Sequence, residues 1–222
     1  MSDNPYRLPH TVVPSRYLLV LEPDLDNATF AGTVSIDVTA VDEVASVALN
    51  ADELDIASVR IDGLEAPFHL DAAAERLIIE APLDIGDAVI DITFTGTLND
   101  KLRGWYRSTF TDAGGAQRVI ATTQMQATDC RRAFPCFDEP DFKAVFEITL
   151  VIQPDLLAVS NGPEISRSTR DDGKHVVVFK PTMSMSTYLV AFVVGPLEAT
   201  EPIDVDGTPL RAVHVPGKGH LT

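Results

Sequence analysis

The sequence predicts an all-β chain, a sandwich or saddle with one extended twisted sheet and at most short helices. Three observations carry this. Apolar and polar residues alternate with period two almost from end to end, the pattern of strands with one buried face. The alternating runs are rich in β-branched residues, which suit a half-buried pleated surface. No segment sustains a helical period over three turns, and turn dipeptides punctuate the chain at short intervals.

Taken in order, the first runs are Tyr17–Glu22 and Thr29–Ala40, separated by Glu22-Pro-Asp. In the second, Val34, Ile36 and Val38 share one face. Ser58–Asp62, Leu77–Glu80 and Val89–Gly96 follow, broken by Asp62-Gly and Ile85-Gly-Asp. Val119–Gln124 comes after the turn Ala113-Gly-Gly, then Val145–Gln153, His175–Lys180, Thr187–Val194 and Arg211–Val215. Asp206-Gly joins Ile203–Val205 to Leu210–Val213 as a hairpin. The one short helix candidate is Ala127–Ala133, with Thr128 as cap and Asp129 at its positive end. Pro135 limits it, because the residue before a proline is pushed out of the helical region. Residues 1–213 read as one β domain and 214–222 as the start of a linker containing Pro216, Gly217 and Gly219.

With 222 residues, 45% of them hydrophobic, a single domain buries about 70% of its unfolded surface and needs no disulfide or metal to fold. A net charge of −16 repels phosphates and excludes nucleic acid as a partner. The longest apolar run, Tyr188–Val194, is too short to span a membrane as a helix. The opening Met-Ser-Asp-Asn-Pro-Tyr has neither the basic nor the apolar region of a signal peptide. The expectation is a cytoplasmic protein whose two cysteines, Cys130 and Cys136, stay reduced.

The usual catalytic constellations are missing. Zinc catalysis commonly needs two histidines one helical turn apart plus a carboxylate. No His-Glu-x-x-His occurs, and His10, His69, His175, His214 and His220 offer no such pair. No Gly-x-Ser-x-Gly, P-loop or dinucleotide fingerprint occurs either. Cys130 or Cys136 as a nucleophile would need a base that nothing local supplies. Asp138 and Glu139 invite an acid–base reading, but beside Pro140 they suit a turn held by backbone and arginine hydrogen bonds.

One stretch concentrates the remaining chemistry: Thr123-Gln-Met-Gln-Ala-Thr-Asp-Cys-Arg-Arg-Ala-Phe-Pro-Cys-Phe-Asp-Glu-Pro140. Gly104-Trp-Tyr-Arg-Ser108, Ser160-Asn-Gly-Pro163 and Met185-Ser-Thr-Tyr-Leu-Val-Ala-Phe-Val-Val-Gly195 accompany it in order. So does the opening Tyr6-Arg-Leu-Pro9 with Val13-Pro-Ser-Arg-Tyr17. Over nearly its whole length the chain resembles the N-terminal β domain of zinc aminopeptidases of the aminopeptidase N type, with Trp105 for the usual phenylalanine and Cys130 for the common alanine.

The resemblance implies a substrate-recognition domain of a broad-specificity aminopeptidase whose zinc site and catalytic domain lie elsewhere. This chain would have no catalytic residue, bind no metal and be inactive alone. It implies that Gln124 helps line the pocket for the first side chain and that Gln126 holds the free α-amine of the peptide. Met125 between them should pack inside. Phe134, Pro135, Phe137 and Pro140 would brace the binding strand from beneath, with Arg131 or Arg132 pairing nearby carboxylates. The expected partners are peptide N-termini and the absent catalytic domain, without nucleic acid or membrane, and the exposed docking surface invites self-association. Two other readings stand beside this one. One is a stand-alone β-sandwich binding or assembly module; the other is a cysteine-dependent activity.

Overall fold

A computed structural model describes residues 7–112 and 114–222. Tyr6 of the opening motif and Ala113 of the predicted turn lie outside the described residues. Because successive side chains of a strand point to opposite faces, the alternating runs fold as strands that bury one face each. The strands are β1 (Val12–Asp24), β2 (Thr29–Ala40), β3 (Val47–Asn50), β4 (Leu54–Ile61), β5 (Leu64–Glu65), β6 (Phe68–Asp71) and β7 (Arg76–Ile79). Next come β8 (Gly86–Thr97), β9 (Gly104–Thr111), β10 (Gln117–Gln124), β11 (Val145–Ile152), β12 (Leu157–Ser160), β13 (Glu164–Thr169) and β14 (His175–Phe179). The last are β15 (Phe192–Gly195), β16 (Glu198–Ala199), β17 (Ile203–Val205), β18 (Thr208–Leu210) and β19 (Val213–His214).

An eight-stranded sheet in the order β13-β14-β11-β1-β2-β8-β4-β5 forms the body of the molecule. Its one parallel pairing is β1 with β11, where Tyr17 stands beside Phe146. A four-stranded sheet, β12-β15-β10-β9, carries the motif-bearing strand second from its edge, and β3-β7-β6 form a third. The core fills between these layers. In β2, Phe30, Val34, Ile36, Val38 and Ala40 are all buried, as the alternation requires.

Two glycines in the central strands make room for aromatic rings. Gly96 of β8 pairs with Phe30 of β2, and Gly32 of β2 pairs with Phe94 of β8. A Cβ on Gly96 would stand 2.3 Å from Phe30 Cζ, and one on Gly32 2.6 Å from Phe94 Cζ. Gly96→Ala should therefore cost about 1 to 3 kcal/mol through overpacking. The measurement is the urea midpoint, and an unchanged midpoint would show that the rings can move aside.

Several expectations are corrected. Thr187–Val194 is not one strand: residues Thr187–Leu189 form a 3-10 turn, and pairing begins only at Phe192. The hydroxyl of Thr187 is turned to a buried carboxylate instead of a strand neighbour. The helix expected at Ala127–Ala133 shrinks to a single 3-10 turn, Cys130–Arg132. Its N-cap position is Asp129, not Thr128, and no side chain caps it. The Asp129 carboxylate is engaged instead by Arg132 Nε at 3.0 Å. Of Arg211–Val215 only Val213–His214 pairs, with β16. The Asp206-Gly hairpin forms, with both turn residues at positive φ, but its return strand is Thr208–Leu210.

Candidate functional site

Strand β10 reaches its end at Gln124, which pairs with Gly104 of β9. Gly104 sits at positive φ against the 3-10 turn, where a Cβ would lie 2.7 Å from the Cβ of Arg132. Beyond the last regular pair with β15, Thr123 Oγ1 accepts the Phe192 amide at 3.1 Å. Alternation continues past the strand end. Gln124 and Gln126 are exposed, and Met125 between them is 3% exposed, packed inside as expected. Gln124 Nε2 reaches the Gln126 carbonyl at 3.5 Å, and the Gln126–Ala127 peptide bond is cis. No hydrogen bond engages the Gln126 side chain among the described residues. Two amide side chains are thus offered to solvent at the end of a rigid strand.

The loop that follows is locked from several sides. Asp129 N donates to Met125 O at 2.9 Å, closing the turn after Gln126. Cys136 and Asn50 exchange backbone hydrogen bonds at 2.8 and 3.0 Å, docking the loop on β3. Tyr17 supports it from β1: its hydroxyl accepts the Phe137 amide at 3.1 Å, and its ring stacks on Phe146 at 4.8 Å. Phe134, Pro135 and Phe137 are buried as an apolar brace, but Pro140 is exposed and takes no part in it.

Both arginines of the motif find carboxylates. Arg131 Nε donates to Asp138 Oδ2 at 3.0 Å and its Nη1 to Glu75 at 2.9 Å. Arg132 meets Asp52 at 2.5 Å, Glu53 at 2.8 Å and Asp129 at 3.0 Å. Burial pushes the Asp52 carboxyl up; Arg132 opposes this, and Glu75 and Glu53 add to it. Asp138 lies at the centre of the loop, accepting Thr187 Oγ1 on its other oxygen at 2.7 Å. Glu139 accepts the Leu8 amide at 2.5 Å and pairs with Arg7, so it ties down the N-terminal segment. Asp138 and Glu139 therefore hold the loop and are not free for acid–base work.

Neither candidate metal cluster among the described residues fits a catalytic zinc. Such an ion keeps one position open to water and substrate. Cys130, Cys136 and Asp138 bring donor atoms within 4.8 Å of one another, but all three are buried. His10, Glu139 and Asp141 also cluster, but Arg7 already bridges the two carboxylates. Nor do the thiols suit a nucleophile: both are free, and burial pushes both up, suppressing the thiolate that would attack.

The distant partners Tyr17, Asn50, Glu75 and Thr187 carry no local signal, since their roles arise only when β1, β3, the segment before β7 and the turn at Thr187 meet the loop.

A family model described as the peptidase M1 N-terminal domain matches residues 13–189. The chain is 38% identical over 218 residues to Aminopeptidase 2 of Candida albicans, covering 96% of this chain and 23% of that protein. It is 39% identical to Aminopeptidase M1-A of Oryza sativa subsp. japonica, covering 96% and 25%. It is 40% identical to a Saccharomyces cerevisiae protein named Aminopeptidase 2, mitochondrial, covering 93% and 23%. The chain thus spans about a quarter of the length of these relatives.

Proposed function

The chain belongs to the peptidase M1 N-terminal domain family of the aminopeptidases, and on that premise we propose that it is the substrate-recognition domain of a zinc aminopeptidase that removes residues singly from peptide N-termini. The observation that carries this reading is the pair Gln124 and Gln126, exposed on either side of buried Met125 at the end of a braced strand. A protonated α-amine has only donors, and an amide oxygen is an acceptor that a strand end can aim. Gln126 takes the amine and Gln124 borders the first side chain. Because Gln126 is neutral, it lacks the charge-assisted bond of a carboxylate, which is roughly twice as strong. The remaining acceptors for the amine, the zinc and its ligands belong to sequence outside this chain.

Cleavage by the intact protein should vanish when the peptide's α-amine is acetylated, while this chain alone should cleave neither peptide. Equal cleavage of free and acetylated peptides would remove the amine-recognition reading.

The outward face of β9, β10 and β15, with half-buried Tyr106, Phe110, Ile120 and Val193, is the surface that docks the catalytic domain. Left uncovered in the isolated chain, it should drive self-association. Sedimentation velocity across a hundredfold concentration range should show a rising mass, and a constant monomer would argue against this docking face.

A further inference from the structure

Cys130 and Cys136 are left without a role by the recognition reading, yet they are placed with unusual economy. They bracket the motif loop, one on its 3-10 turn and one at its bridge to Asn50. A sulfur of each and a carboxylate oxygen of Asp138 all lie within 4.8 Å of one another, and every one of these residues is buried. We propose that Cys130, Cys136 and Asp138 form a binding site for a thiophilic divalent cation, Zn2+ or Cd2+ in chemical class, that staples the motif loop shut.

The geometry suits such an ion. With metal–sulfur bonds of about 2.3 Å in a tetrahedron, two thiolates sit about 3.8 Å apart, a spacing inside the 4.8 Å within which the donor atoms lie. Asp138 has a lone pair to give. A carboxylate accepts about four hydrogen bonds, and here the Thr187 hydroxyl and the Arg131 amide and Nε account for three. On binding, each thiol releases its proton to solvent, so one divalent ion and two thiolates form a neutral unit. The charge balance between Asp138 and Arg131 is then undisturbed. The Arg131 guanidinium on the same carboxylate disfavours hard cations, whose affinity rests on oxygen charge, and leaves soft ones held by sulfur. The site differs from a catalytic centre because all three donors are buried beneath the loop, away from any substrate. Entry requires transient opening of the loop between the two cysteines, so binding is slow and release slower.

Cadmium alone is the probe. Incubated to equilibrium with one equivalent of Cd2+, the 222-residue chain should develop sulfur-to-cadmium charge-transfer absorption with one ion per chain. Saturation near a hundred times the dissociation constant should raise Tm by about 5 to 10 °C. Cys130→Ala and Cys136→Ala should each lose the absorption and the Tm gain. Where a variant does not fold, the cadmium NMR shift of the unaltered chain carries the test, since two sulfurs completed by oxygen differ from an all-oxygen site. Absent absorption, an all-oxygen shift, absorption retained in either cysteine variant, or a Tm lowered by cadmium would each overturn the proposal.

Discussion

Asp138→Ala should destabilise the domain by about 3 to 5 kcal/mol, the cost of removing one partner from a buried ion pair. The size follows from what the carboxylate holds. Its side chain is 1% exposed, and that of its partner Arg131 is 12% exposed. Removing it strands the Arg131 guanidinium at a buried position and leaves the Thr187 hydroxyl without its acceptor. Glu75 still meets Arg131, which keeps the loss from being larger. Asp138→Asn retains an acceptor but lacks the charge, so its cost should be smaller. Urea unfolding of both variants measures this, and equal losses would show that shape, not charge, holds the loop.

Trp105→Ala should cost a similar amount, about 3 to 5 kcal/mol, because a fully buried indole leaves a cavity that rigid strands cannot close. Trp105 is 0% exposed and packs at 4.9 Å from both Phe30 and Phe192, so it joins the large sheet to the small one. Trp105→Phe should behave differently. The indole N–H is buried with no hydrogen-bond partner among the described residues, and a donor in that state costs about 1 to 3 kcal/mol. Phenylalanine removes this penalty while giving up part of the ring volume, so the variant should lie within about 1.5 kcal/mol of the parent chain. A phenylalanine variant as damaged as the alanine one would show that the indole N–H is satisfied.

The long strands were legible because each has one buried face, which writes itself as alternation: β2 and β8 show it over their whole lengths. Strand β13 was invisible for the opposite reason. All six of its residues are exposed, so no apolar period marks it. Thr187–Val194 misled because its apolar run is divided between a 3-10 turn and a strand, a division set by Thr187 reaching Asp138 and not by local pattern. The motif makes Gln124 and Gln126 the proposed substrate contacts, and buried Met125 between them agrees with strand alternation. Its support was not readable, because Tyr17, Asn50 and Glu75 reach it from strands or turns far away in sequence. Pro140 falls outside the brace for a related reason: proximity in sequence to Phe137 says nothing of which side of the loop faces water.

The most direct measurement is the steady-state kinetics of Gln126→Ala and Gln126→Glu in the intact protein, on a peptide with a free N-terminus. Losing a hydrogen bond to a charged group is worth about 1.5 to 3 kcal/mol, so alanine should lower kcat/KM by about 10- to 100-fold. Glutamate, adding a charge-assisted bond, should lower KM. Wild-type kinetics in both variants, with the fold intact, would contradict the claim that this strand end reads the peptide's amine.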